Sequence, residues 1–170
     1  MKLILTFLLL GAFIFLNSCN TETPEKSKVY YDSIVSKVNI LTGKHEAELA
    51  DAIDEFNPTD MKKAYKKMEV YVLDLEKEFD ALSDFYGDID LLNSAKAVVK
   101  DYKKSLPLYS KIVENESITQ ENYTAQNEQT FVTLSKQINE MLDKSVTKFQ
   151  DATHKFGEKH KIKILPATDV

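Results

Sequence analysis

Apolar residues recur at helical spacing through most of this chain. Tyr31, Ile34, Val38, Leu41, His45, Leu49, Ala52 and Phe56 follow one another in steps of three and four, the spacing of one helix face. The run crosses Gly43, which weakens a helix by up to about 1 kcal/mol without ending it. Asn57-Pro58-Thr59-Asp60 then supplies a cap, an N1 proline and a first-turn acid, so one helix stops there and another starts. Met61, Tyr65, Met68, Val72, Leu75, Phe79, Leu82 and Tyr86 alternate steps of four and three, a heptad seam, and Gly87 follows at a C′ position.

A third run holds Leu92, Ala95, Val99, Tyr102, Leu106, Tyr109 and Val113. Pro107 lies inside it and removes the partner of the Lys103 carbonyl, but the apolar phase is unchanged across it. That predicts one kinked helix. The fourth helix is expected from Ser117 or Thr119, with Ser117 and Gln120 as a capping box, and Gly157 as its end. Its seam is Phe131, Leu134, Ile138, Met141, Ser145, Phe149, Ala152 and Phe156. Ile162, Ile164 and Leu165 suggest a short extended piece lying on the bundle.

Short connections force successive helices to run antiparallel. The fold class is therefore all-α, an up-down-up-down four-helix bundle of long helices with a short extended C-terminal tail. A homo-oligomeric coiled coil would share the heptads. The capped breaks at 57–60 and 87–90 favour a chain that folds back on itself. Expected boundaries are a leader over 1–18, a polar tether over 19–28, the bundle over 29–165 and a tail over 166–170.

The leader changes the picture of where this bundle works. Met1 and Lys2 precede an apolar stretch from Leu3 to Leu16, interrupted only by Thr6 and Gly11. A bilayer span needs roughly 20 apolar residues, so this is the length of a secretory h-region. Leu16-Asn17-Ser18-Cys19 closes it and is similar to a bacterial lipobox, with Asn17 in a place more often held by Ala or Ser. Cys19 is the single cysteine of the 170 residues. An exported protein seldom keeps one unpaired thiol, and an acylated cysteine has none. Cys19 is thus the expected site of diacylglyceryl and palmitate-type acylation, giving a membrane partner through an N-terminal lipid anchor. Asn20, not Asp, follows it, so the common inner-membrane retention signal is missing; the expected address is the cell envelope, at the outer membrane, on its periplasmic face or the cell surface.

Composition removes whole classes of function. All 22 basic residues are lysines, and the net charge is −5. Without arginine there is no bidentate phosphate clamp, and nucleic acid is excluded as a partner. Four glycines and four prolines leave little room for a many-turned β fold. No Glu-x-x-His, Gly-x-Ser-x-Gly or glycine-rich phosphate loop is present. Asp151-x-x-His154 lies off the fourth seam. Acid pairs such as Glu46/Glu48 fall on faces expected to be solvated or capping. The sequence therefore predicts no enzyme, no cofactor and no tight metal site.

Two residue sets remain. His45 falls on the apolar stripe of the first helix, as a hydrogen-bonded core histidine or, less simply, as a ligand. Tyr65, Tyr86, Tyr102 and Tyr109 occupy seam positions, and Tyr31 joins from the first helix. They serve as bulky core wedges or, with His45, line a pocket for an apolar or glycan ligand opened where Pro107 bends its helix.

Lipobox, helices and tail together bear a resemblance. Leu16-Asn17-Ser18-Cys19, the Phe85-Tyr86-Gly87-Asp88 turn followed by Leu91-Leu92, and the closing Phe156-Gly157-Glu158-Lys159-His160-Lys161-Ile162 carry it. The chain resembles small all-helical surface lipoproteins of uncharacterised function found in spirochaetes and Bacteroidetes. The resemblance implies an envelope location and supplies no catalytic residues. Two functions are expected from these observations: a non-catalytic interaction or scaffold module facing another envelope component, or a carrier of an apolar molecule or metal between its helices.

Overall fold

The computed structural model describes residues 22–162. Five α-helices build four rods: α1 (Pro24–Asn39) and α2 (Glu46–Asp54), joined without a break by a π-helical segment (Ile40–His45); α3 (Pro58–Ala81); α4 (Asp90–Glu116); and α5 (Ala125–Lys159). They form an antiparallel, up-down-up-down four-helix bundle with no strand among the described residues. Cys19, Ile164 and Leu165 lie outside the described residues. Residues 24–28, expected as tether, are instead the first turns of α1. Thr23 caps them by accepting from the Lys26 amide, and Pro24 takes the N1 place that suits its fixed φ.

The π segment follows from the sequence. Between Leu41 and Leu49 the apolar steps are four and four, eight residues where two α-turns span about seven. A wider π-turn absorbs the extra residue, so both leucines stay buried. The cost is local: the extra residue turns Glu46 toward Tyr109 and leaves His45 on the outer side of the segment, both half-buried.

α4 is the central rod. It packs along α3 and α5 and also meets α1. Two stripes are therefore buried on it: the expected one, and Leu91, Val98, Ser105, Ile112 and Glu116 beside it. The helix is continuous through Pro107, which is exposed, leaving the Lys103 carbonyl to water. On α3 the seam holds from Met61 to Phe79, with Ala64 buried beside a half-buried Tyr65. On α5 Leu142, rather than Met141, is the buried position.

Helix ends differ from expectation in three further places. α3 stops at Ala81, and Leu82 is extended (ψ 138°), so Tyr86 is not a seam residue. Phe85 fills the core in its place and pairs with Asp88 through two backbone hydrogen bonds, of 3.0 and 2.9 Å. Tyr86 (φ 51°) and Gly87 (φ 85°) form the tip, both left-handed as a two-residue primed turn requires. Ser117 ends α4, its hydroxyl donating to the Val113 carbonyl, and the capping box of α5 is Thr124 with Asn127. At the far end of α5, Gly157 is inside the helix. The left-handed C′ residue is Lys161 (φ 55°), and the Ile162 amide closes on the Gly157 carbonyl at 2.8 Å, a Schellman motif.

Candidate functional site

Three arrangements carry polar chemistry against apolar surroundings. The first lies behind the π segment. Glu46, expected on a solvated face, is turned inward by the extra residue, and the Tyr109 hydroxyl donates to its Oε1 at 2.6 Å. Tyr102 faces the same carboxylate, and burial, then the Glu46 charge, pushes both phenols well above the usual range. They are neutral donors with the core closed around them. Both tyrosines are buried, and they anchor a half-buried carboxylate.

The second arrangement is on the outside of that same segment. His45 is not a hydrogen-bonded core residue. Its ring packs on Tyr71 (centroids 4.6 Å apart, 42° between planes), and its Nδ1 is buried without a hydrogen-bond partner. Desolvation lowers its pKa below the ordinary 6.5, Glu48 opposing. Tyr71 is held by its hydroxyl donating to the Lys37 carbonyl at 3.1 Å. An open groove of about 630 Å3 lies over this pair, floored by His45, Val70 and Tyr71 and edged by Lys63, Lys66, Lys67 and Asp74. Lys66 pairs with Glu69, and Lys67 with Glu48 at 3.1 Å. The groove is a surface feature between the first rod and α3, not an opening at Pro107.

The third cluster gathers one end of the bundle. Buried His160 has Nδ1 against Glu22 and Nε2 3.0 Å from Asp88 Oδ2, and the same oxygen receives Lys159 at 2.7 Å. Burial drives the Asp88 carboxyl up, but the hydrogen bonds from Lys159 and His160 outweigh it and hold the group below its ordinary value. Phe85 and Phe156 pack against the imidazole, and Tyr30 packs on both of those rings, in a continuous aromatic group. The Tyr30 hydroxyl donates to the Ser83 carbonyl at 3.0 Å; burial, then Asp84 and Asp88, pushes its pKa up to about 12.

The six residues read from the sequence as core wedges or pocket lining are thus dispersed. Tyr31, Tyr102 and Tyr109 are in the core, Tyr65 is half-buried on α3, Tyr86 is exposed at the α3–α4 turn, and His45 floors the outer groove. His154 and Asp151 are exposed. The sequence reading placed Glu46 on a solvated face, named His160 in the C-terminal segment without its partners Glu22 and Asp88, and did not single out Tyr71. The doubled four-residue step at Leu41–His45–Leu49 is the signal that bears on Glu46. Among the described residues, no three His, Cys, Asp or Glu side chains converge as metal ligands, and no helix is long and apolar enough to cross a membrane. Compared with protein-family models, curated proteins and solved structures, the chain has no match.

Proposed function

We propose that this chain is a non-catalytic, lipid-anchored envelope protein that presents a helical face to another envelope component. The lipobox-like Leu16-Asn17-Ser18-Cys19 supports the anchor. One observation carries the interaction reading: the groove over His45, Val70 and Tyr71 is apolar in its floor, cationic on its rim and open to solvent. Val70 is among the large hydrophobics left exposed. An apolar floor with a charged rim is the anatomy of a protein contact. The carrier reading draws less support, because Tyr102 and Tyr109 spend their hydroxyls on Glu46 inside the core.

A photo-crosslinking amino acid at Val70, compared with one at exposed Lys148 on α5, tests this in intact cells. One discrete envelope adduct from position 70 and none from 148 is expected. The same adducts from both positions, or none from 70, would contradict the reading.

A further inference from the structure

We propose that the end of the bundle holding the Tyr86–Gly87 turn lies on the lipid surface, with Tyr86 and Ile89 in the headgroup region. The inference rests on acylation of Cys19, and deepens that reading by giving the bundle an orientation.

Covalent reach sets the frame. Three Cα–Cα steps lead from Cys19 to Glu22, so their Cα atoms are at most about 11 Å apart. Glu22 is held by His160, whose Nε2 is 3.0 Å from Asp88, the residue between the turn and Ile89. The Lys26 ammonium donates to the Tyr86 hydroxyl at 3.3 Å. An acylated cysteine at the bilayer therefore brings the turn to the same surface. What it meets there suits an interface. Val29, Tyr86 and Ile89 are 69%, 44% and 47% exposed, and an open apolar groove of about 420 Å3 lies beside the turn between Val29, Tyr30 and Phe85.

Tyr86 itself is the second observation. A primed turn favours Asn, Asp or Gly at this position, and a tyrosine at φ 51° holds a bulky side chain in a strained conformation. The turn places a part-exposed aromatic ring at the end nearest the anchor. Tyrosine is the residue type enriched at the membrane interface, where its ring meets acyl chains and its hydroxyl meets water.

Charge argues against attraction to anionic lipid. Lys26, Lys28, Lys159 and Lys161 share this end with Glu22, Glu25, Asp84, Asp88 and Asp90. Apolar insertion, not a polybasic patch, makes the contact.

The chain has no tryptophan, so one can be placed as a sole reporter. Full-length acylated protein carrying Tyr86→Trp, Ile89→Trp or, at the opposite end, Phe56→Trp is reconstituted into phosphatidylcholine vesicles containing lipid brominated near the headgroup. Circular dichroism confirms the fold of each. Blue-shifted, bromine-quenched emission from positions 86 and 89, and neither effect at 56, is the expected result, unchanged by adding phosphatidylglycerol. Vesicle-bound protein with all three reporters unquenched overturns the docking and leaves the anchor standing. Protein that fails to float with the vesicles, with Cys19→Ala behaving as wild type, overturns both.

Discussion

The Tyr109 hydroxyl of α4 donates to the Glu46 carboxylate at 2.6 Å, joining the central rod to the first residue after the π segment. A single surplus residue makes this contact. Without the wide turn, Leu49 and Ala52 would rotate out of the core by most of a quarter turn.

Deleting Gly43 should therefore convert the segment to ordinary α-helix with both flanking seams still in register. Helix content by circular dichroism should stay at the wild-type level. Inserting one alanine after Gly43 should instead misplace Leu49 and Ala52 and lower the melting temperature. Loss of helix in the deletion, with tolerance of the insertion, would contradict this origin of the π segment.

Tyr109→Phe should cost roughly 1.5–3 kcal/mol in urea denaturation, as expected for a hydrogen bond to a charged group left with a half-buried, less well-paired carboxylate. Phe79→Ala should cost more, about 3–5 kcal/mol, because its ring is fully buried where α3 meets α4. The opposite order would contradict the burial pattern.

Relieving the turn should separate stability from the proposed membrane contact. Tyr86→Gly removes the left-handed penalty and should stabilise the fold by about 0.5–1 kcal/mol. That gain is reduced by loss of the edge contact with Phe85, whose ring centroid is 4.8 Å away. A destabilisation of more than that range would show that the tyrosine is held for packing alone.

Acid should destabilise the bundle, and two groups set the windows. The His45 pKa is lowered on folding, so below its ordinary value of 6.5 the unfolded chain binds the extra proton and stability falls as pH falls. Asp88 is also lowered, so its contribution is present above the ordinary carboxylate value and is lost as pH drops through its folded value. His45→Leu should flatten the first slope and leave the second. Unfolding midpoints measured in urea from pH 7 to pH 3 check both.

Much of this architecture was legible because a four-helix bundle needs little beyond periodicity, and the runs at 31–56, 61–79 and 92–113 state it directly. Boundaries were harder. Thr124 with Asn127 makes a capping box whose fourth residue is Asn rather than Glu or Gln, so Ser117 and Gln120 looked the better pair. Tyr86 continued the arithmetic of the seam by coincidence, four residues after Leu82, although the helix had already ended. The grouping of Glu22, Asp88 and His160 draws on residues up to 138 positions apart, which no local pattern encodes. His45 was singled out for its place on the stripe, but the extra residue at the π segment moved it from core to groove floor.

The proposed anchor, the proposed orientation of the bundle and its proposed place in the envelope all depend on one covalent event. Metabolic labelling with an alkyne-bearing fatty acid, followed by immunoprecipitation of wild-type and Cys19→Ala protein, tests it most directly. Label on the wild type and none on the variant is the predicted result. Equal labelling of the two, or label on neither, would contradict the account.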